Sequence, residues 1–453
     1  MITVIGTGVG VGLGTGATLD AGALDAGALR AADLVVGGRR HLDAVALPEG
    51  AERIVLGPLA PALERIAAYV AKGRAVTVLA SGDPGFFGVV RVLAERFGAE
   101  RLRVRPGVSS VAAAFARAGL AWDDAVVVSA HGRDPRTAVN VCRARPKVAV
   151  LTGPGAGPAE LGAALARRPG GERVLVVASA LGDPGRERVE RVSPGEAAAR
   201  DWGTVVNVVL CLDPARTWGE GMDTGTVTGG MGTVIGGMGT VTGGMGTVAG
   251  GGPGPAGWAL DEGAFDHRDS MITKFEVRAL ALARLGPRLG DLVWDIGAGS
   301  GSVAVECARL GAAVVAVEKD ADSVARVRAN ALAQGVDVGV VHGAAPDALS
   351  GLDDPDAVFV GGGGRELPAI VAACAGRARR AVVVALAALD RVPQVRAALT
   401  GAGLGCDGVL LQSSRLAPLP GDVTRLAATN PVFLLWGVRP SADREFYGEG
   451  VVQ

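Results

Sequence analysis

The sequence predicts an α/β fold in each of its two halves. Short apolar runs rich in β-branched residues alternate with alanine-rich helical stretches along most of the chain. Many of these runs are apolar at every position, which is typical of strands in a parallel sheet covered by helices on both faces. Glycine clusters follow several runs directly. Because ligands bind at the carboxyl ends of such strands, these clusters mark the predicted sites.

The predicted strands fall into two groups. The first group is 2–5, 34–36, 76–79, 125–129, 148–151, 174–178 and 205–212. The second group is 292–295, 313–318, 338–342, 357–360, 381–385 and 431–437.

Residues 224–251 separate the two groups and repeat one seven-residue unit: TGTVTGG, MGTVIGG, MGTVTGG, MGTVAGG. The repeat has no charge and little to bury, which favours a flexible linker over a short β-solenoid. The predicted domains are therefore residues 1–215 and 257–453, joined by a linker at 216–256.

Composition excludes several classes of protein. The chain has 453 residues, is 49% hydrophobic and carries a net charge of −1, which argues against disorder and against a dedicated nucleic-acid binder. No apolar run reaches the roughly 18 residues of a membrane helix, and the first basic residue is Arg30, which argues against a signal peptide. Five scattered cysteines without a C-x-x-C pair predict a reduced, cytoplasmic protein and no zinc site.

The clearest motif in the second half is a strand that ends in Asp295, followed by Gly297, Gly299 and Gly301. Dinucleotide-binding loops need G-x-G-x-x-G, and Ser302 stands at the third glycine position, so the fit to NAD is poor. The D-x-G-x-G-x-G spacing instead resembles the Rossmann-like class I methyltransferases, which bind S-adenosylmethionine.

That resemblance implies further contacts with the cofactor. Glu318 ends the next strand, where an acid can accept hydrogen bonds from ribose hydroxyls; the alternative is a surface acid. Ala344 and Ala345 follow the third strand, where this family meets the adenine. Since alanine cannot accept from the adenine amine, we expect a backbone contact there.

Upstream, Met-Ile-Thr273-Lys274 precedes a helix that contains Glu276 and Arg278. Together with the loops above, this segment resembles the decarboxylating methyltransferases of cobalamin biosynthesis that act at C15 of a precorrin. The resemblance adds Thr273 to the cofactor site. No general acid is assigned, and the weak catalytic candidates are His267, Lys274, Glu276 and His342; the alternative for a lone histidine is a structural role, and for Lys274 a solvated position at the helix start.

Four strand-end loops in the first half contain Gly8, Gly82-Asp83-Pro84, Ser109-Ser110 and Thr152. Taken alone, Asp83-Pro84 is an ordinary turn signal. In this order the loops resemble the tetrapyrrole methylases, the class III methyltransferases, over residues 1–215, and 33–42 resembles their precorrin C5 branch. That family has two α/β subdomains with the cofactor between them. The resemblance implies that these seven residues bind S-adenosylmethionine.

The two resemblances combine in the fused, decarboxylating C5,15-methyltransferases of vitamin B12 synthesis. They imply two bound S-adenosylmethionine molecules per chain, methylation of precorrin-6Y at C5 and C15, loss of CO₂ from the C12 acetate, a homo-oligomer, and neither nucleic-acid nor membrane partners. The substrate carries several carboxylates, for which arginine is the preferred partner; the candidates are Arg39, Arg40, Arg105, Arg268 and Arg278. The alternatives are a two-domain methyltransferase with another substrate, such as RNA bound by the second half, and a nicotinamide oxidoreductase.

Overall fold

A computed structural model describes residues 1–9, 26–167, 171–183, 185–203, 205, 207–218, 258–268 and 272–440. The predicted linker at 224–251 lies outside the described residues. Within them the chain forms two compact units. The first contains the described residues of 1–133, 147–163 and 174–218, and the second contains those of 134–146, 164–173 and 258–440.

The strands are β1 (Ile2–Gly6), β2 (Leu34–Gly37), β3 (Glu52–Val55), β4 (Val76–Ala80), β5 (Leu102–Arg105), β6 (Val126–Ser129), β7 (Lys147–Leu151), β8 (Val174–Ser179), β9 (Arg188–Val192), β10 (Asn207–Leu212), β11 (Leu292–Ile296), β12 (Ala313–Glu318), β13 (Gly339–His342), β14 (Ala357–Val360), β15 (Ala381–Leu386), β16 (Gly405–Leu411), β17 (Ser414–Leu419), β18 (Val423–Ala428) and β19 (Val432–Val438).

The helices are α1 (Ala26–Arg30), α2 (Arg39–Asp43), α3 (Leu59–Ala71), α4 (Val90–Phe97), α5 (Ser110–Ala118), α6 (Pro135–Ala144), α7 (Pro158–Ala166), α8 (Pro194–Ala199), α9 (Pro214–Trp218), α10 (Phe275–Leu285), α11 (Ser302–Arg309), α12 (Ala321–Ala333), α13 (Leu367–Arg377) and α14 (Val392–Gly401). None of the helices described is both long and apolar enough to cross a membrane.

The first unit contains two five-stranded sheets. One sheet has the order β3-β2-β4-β1-β5 and is parallel throughout. The other has the order β6-β7-β10-β8-β9, in which only β6 and β7 are parallel. The α/β prediction is confirmed, but the expectation of parallel pairing is wrong for this second sheet. Apolar runs do not distinguish the two kinds of sheet here, because a central antiparallel strand such as β10 is also buried on both faces.

The second unit is built on a seven-stranded sheet of order β13-β12-β11-β14-β15-β19-β16. Its first five strands are parallel, and β19 and β16 add antiparallel partners at one end. Successive residues of β11 enter different cores, Trp294 on one face and Val293 on the other. Both side chains are fully buried, which explains why β11 is apolar along nearly its whole length.

The second unit also includes helix α6, although this helix lies in the first half of the sequence. Asn140 in this helix is fully buried, and its Nδ2 donates to the carbonyl of Gly290 at 3.0 Å. Arg136 Nη1 binds both oxygens of Asp356 at 2.9 and 2.8 Å. The second unit therefore takes a helix from the part of the sequence that precedes the predicted linker.

Candidate functional site

In the second unit, the loop after β11 requires glycine for its shape. Gly297, Gly299 and Gly301 all have positive φ, of 70°, 58° and 74°, a region that only glycine enters readily. A Cβ at Gly301 would lie 2.8 Å from Cγ1 of Val327, and a Cβ at Gly297 would lie 3.3 Å from the backbone nitrogen of Gly362. The glycine pattern therefore reflects both backbone conformation and close packing.

Glu318, at the end of β12, is held by three backbone N–H groups. Its Oε2 accepts from Gly299 at 2.9 Å, and its Oε1 accepts from Lys319 at 2.8 Å and from Asp320 at 3.0 Å. A carboxylate oxygen can accept more than one hydrogen bond. Glu318 is thus fixed beside the glycine loop with acceptor capacity left over, and its contact with the ribose stays a prediction.

Asp295 is buried beneath the same loop. Its Oδ2 accepts from the backbone nitrogen of Ala304 at 2.9 Å, while its Oδ1 has no partner among the described residues. Burial, with a smaller contribution from the charge of Glu318, raises the pKa of Asp295 to about 7 although the hydrogen bond from Ala304 lowers it. Asp295 therefore supports the loop from below and takes up a proton far more readily than an ordinary aspartate.

The third strand brings His342 to the same edge of the sheet, since the register pairs Glu318 with His342. The ring Nε2 of His342 lies 3.1 Å from the carbonyl of Lys319. Because a carbonyl only accepts, this nitrogen carries hydrogen. The backbone nitrogen of Gly343 donates to the carbonyl of Glu318, and Ala344 follows, exposed, with Ala345 half-buried. The predicted adenine segment therefore adjoins the predicted ribose acid.

Arg278 corrects one prediction. Its side chain is fully buried: Nη1 donates to the carbonyl of Thr273 at 2.7 Å, Nη2 donates to the carbonyl of Leu260, and Nε lies 3.6 Å from the buried carboxylate of Glu306. Arg278 holds the chain before α10 together and does not reach solvent, so its assignment to the substrate was wrong. Thr273 is half-buried and uses its carbonyl in this network.

Glu276 is also committed elsewhere. Arg415, in β17, binds Glu276 Oε2 at 2.8 Å and Glu262 Oε1 at 2.7 Å. The hydrogen bonds from Arg415 lower the pKa of Glu276, so this carboxylate stays ionised. A carboxylate that stays ionised cannot donate a proton, which argues against a general-acid role for this weak catalytic candidate.

The remaining candidates of this half lie near the N-terminus of α10 and the start of α12. Lys274 is half-buried at the N-cap of α10. Arg268 is exposed; the hydrogen bonds from Ser323, with a smaller contribution from the charge of Arg268, lower the pKa of Asp320, two residues after Glu318. His267 is half-buried, and its Nδ1 has no partner among the described residues.

In the first unit, three loops converge on one point. The backbone nitrogen of Gly82 donates to the carbonyl of Gly8 at 3.1 Å. A Cβ at Gly107 would lie 2.5 Å from the nitrogen of Gly8, and a Cβ at Gly6 would lie 2.3 Å from the carbonyl oxygen of Gly82. The contact leaves no room for side chains, which explains the glycines after β1, β4 and β5.

A cavity of about 320 Å³ opens beside this convergence. It is lined by Gly8, Val9, Arg40, His41, Ser81, Gly82, Asp83, Phe86, Ser109, Ser110, Leu151, Ala178, Ala180, Leu181, Arg186, Val205, Asn207 and Val208. Most of the predicted residues of the first half are among them. Pro84 is buried next to the cavity, and Arg39 and Arg105 are exposed outside its wall. Thr152 donates its hydroxyl to Asn207 at 2.6 to 2.7 Å and so acts behind a lining residue.

The lining also contains residues that were not predicted from the sequence, among them His41, Asn207, Leu181 and Arg186. One feature of the sequence could have pointed to Leu181 and Arg186: the tetrapeptide Gly-Asp-Pro-Gly occurs twice, at 82–85 and at 182–185. In the first copy Asp83 Oδ1 accepts from the nitrogen of Gly85 at 2.8 Å; in the second, Asp183 Oδ1 accepts from Gly185 at 3.0 Å. The second copy orients Arg186, whose Nε donates to Asp183 at 2.8 Å.

The two halves match two protein families. The tetrapyrrole (corrin/porphyrin) methylases match residues 7–198, and the precorrin methyltransferase domain matches residues 263–438. Among individual proteins, the chain is 36% identical to the cobalt-precorrin-7 C(5)-methyltransferase of Salmonella typhimurium, over 47% of this chain and 99% of that protein. It is 37% identical to a probable cobalt-precorrin-6B C(15)-methyltransferase (decarboxylating) of Pyrobaculum calidifontis, over 36% of this chain and 87% of that protein.

A third relative spans both halves. The precorrin-6Y C(5,15)-methyltransferase (decarboxylating) of a Sinorhizobium species is 37% identical over 339 residues, which are 74% of this chain and 73% of that protein. The fold class and the family resemblance predicted from sequence are confirmed. The chain belongs to the family of precorrin-6Y C(5,15)-methyltransferases (decarboxylating).

Proposed function

We propose that this chain methylates a precorrin at C5 with its first unit, and methylates C15 and removes CO₂ from the C12 acetate with its second. One observation carries the proposal: this member of the family has two different sets of strand-end loops, one in each compact unit. One set surrounds a cavity, and the other surrounds the acid Glu318. The domain boundaries proposed are 1–215, 216–256 and 257–453.

S-adenosylmethionine is the methyl donor of this family, and we propose that two molecules bind per chain. When bound, it supplies an electrophilic methyl group on a sulfonium. The described residues fit it, because Glu318 has free acceptor capacity for ribose hydroxyls and the glycine loops leave the backbone open to close approach. In the second unit the holders are Asp295, Gly297, Gly299, Gly301, Glu318, Thr273, Ala344 and Ala345. In the first they are Gly8, Gly82, Asp83, Pro84, Ser109, Ser110 and Thr152.

The chain's own contribution to methyl transfer is positioning. A ring carbon of a reduced macrocycle is itself the nucleophile, so no serine or cysteine nucleophile is needed. Rigid loops that fix the methyl donor and the acceptor carbon lower the activation barrier of the transfer. Full orientation of two reactants is worth roughly 7–11 kcal/mol. The backbone bonds that hold Glu318 supply such rigidity in the second unit.

The substrate's carboxylates would pair with arginines at the strand ends. Arg40 lines the first cavity, and no acidic side chain of the described part of the chain pairs with it. Arg39 and Arg105 of the first unit and Arg268 of the second are exposed.

For decarboxylation, the second unit must help the ring accept the electron pair left by CO₂. We favour His342, which pairs with Glu318 in the strand register, as the proton donor, ahead of His267 and Lys274.

We also propose a homo-oligomer in the cytoplasm. None of the five cysteines forms a disulfide bond and four of them are buried, which supports a reducing compartment. Incubation of the full chain with precorrin-6Y and S-adenosylmethionine labelled with ¹³C in the methyl group tests the function. We expect NMR to find label at C5 and C15 and released CO₂ to match the C15 label; label at other positions would contradict the proposal.

A further inference from the structure

Arg40, His41 and Ser81 meet in the wall of the first unit's cavity. Arg40 Nη2 donates to Ser81 Oγ, and Arg40 Nε donates to His41 Nε2 at 3.3 Å. Ser81 Oγ lies 3.1 Å from the same Nε2. Since Nε2 already accepts from Arg40, it bears no hydrogen, and the hydroxyl hydrogen of Ser81 must point to it. The three side chains therefore form a chain of hydrogen bonds that ends on an uncharged imidazole.

The surroundings keep this imidazole uncharged. His41 is only 4% exposed, and its Nδ1 has no partner among the described residues. Burial, together with the charge of Arg40, lowers the pKa of His41 to about 4. The ring is neutral at physiological pH and has one acceptor nitrogen, which faces Ser81. Ser81 itself is exposed to the cavity.

Methylation of a ring carbon that carries hydrogen requires such an acceptor. A new C–C bond forms, the methyl–sulfur bond breaks, and its electron pair stays on sulfur. The ring carbon then still holds its hydrogen and the macrocycle has gained a positive charge. To reach a neutral product, the proton must leave and the C–H electron pair must return to the ring.

We propose that Ser81 and His41 remove this proton. Ser81 Oγ takes it from the ring carbon while its own hydroxyl proton passes to His41 Nε2, which becomes an imidazolium and later releases the proton to solvent. Ser81 is the catalytic residue, His41 acts through it, and Arg40 holds Ser81 in place. The inference rests on the proposed C5 transfer. Among the described residues that line the cavity, Asp83 is the one carboxylate, and its Oδ1 accepts from the nitrogen of Gly85.

Single-turnover assays on the full chain test the proposal, with Ser81→Ala, His41→Gln and, as a matched control, His131→Gln, an exposed histidine outside the cavity wall. We expect Ser81→Ala and His41→Gln each to lower the single-turnover rate constant for formation of the C5-methylated product by about 100-fold, as for loss of a general base, with the precorrin concentration that gives half the maximal rate little changed. A precorrin deuterated at C5 should then react more slowly than the protonated form, because proton removal has become rate-limiting. Ser81→Ala replaces an exposed side chain, so its result does not depend on His41→Gln folding.

A second readout needs no turnover. The ring ¹⁵N shifts of His41, assignable because the chain has four histidines, should show hydrogen on Nδ1 and none on Nε2, and Ser81→Ala should shift the Nε2 signal. Unchanged C5 transfer in both variants, or a lower rate without an isotope effect, would overturn the proposal. Asp83→Asn is assayed in parallel, and an isotope effect confined to that variant would overturn it as well. If the wild type itself transfers no methyl to C5, the proposed function fails instead.

Discussion

Glu318 and Gly299 are joined by a hydrogen bond of 2.9 Å from the backbone nitrogen of the glycine to the carboxylate, across 19 positions of sequence. The bond couples the end of β12 to the loop after β11. It places the acid proposed for the ribose and the loop proposed for the amino-acid part of the donor in one rigid arrangement.

Glu318→Gln should weaken S-adenosylmethionine binding at the second unit by about 10- to 100-fold, the range for loss of hydrogen bonds to a charged group. The new amide NH₂ would also face backbone N–H groups that now donate to the carboxylate. Calorimetry on the full chain measures both sites, and the first unit's site should be unaffected. Equal weakening at both sites would argue against separate binding sites.

Gly301→Ala should destabilise the second unit by about 1–3 kcal/mol, because a methyl group would meet Val327 and the backbone would be held at a positive φ. Gly286→Ala is the matched control, since Gly286 has a φ of 56° with nothing within 4 Å of its Cβ position. Chemical denaturation measures the free energy of unfolding. Equal losses in the two variants would show that packing against Val327 contributes nothing.

These glycines show how far the sequence could predict the site. Each predicted strand overlaps an observed one, and the D-x-G-x-G-x-G loop was identified because its glycines are required by geometry. Strand β3 was missed because it alternates between exposed and half-buried residues, and β18 was missed because it is almost wholly exposed. His41 was missed as a site residue because it enters the cavity from the short helix α2, where no fixed spacing marks it.

Asp295→Asn should change how stability depends on pH. Because burial raises the pKa of Asp295 to about 7, above its value of 3.8 in the unfolded chain, the folded state binds the proton more tightly. Its contribution to stability is complete below about pH 4 and is lost as the pH rises to about 7. The difference in free energy of unfolding, variant minus wild type, should therefore increase by a few kcal/mol between these values. If the difference in free energy of unfolding did not change with pH, the raised pKa of Asp295 would be contradicted.

Arg278→Met should lower the free energy of unfolding by about 3 kcal/mol, because removing one member of a buried ion pair leaves Glu306 poorly compensated. Arg309, at 3.2 Å from Glu306, limits the loss. The exposed Arg268→Met serves as the control and should change stability by less than about 1 kcal/mol. If the Arg278→Met variant were as stable as the wild type but had a raised KM for the precorrin, Arg278 would contact the substrate after all, and the structural role argued here would be contradicted.

The most direct measurement of the central claim, that one chain carries two separate donor sites, is the stoichiometry of S-adenosylmethionine binding to the full chain by equilibrium dialysis with labelled ligand. We predict two molecules per chain for the wild type and, at ligand concentrations that saturate only the stronger site, one for Glu318→Gln. A wild-type value of one would contradict the account.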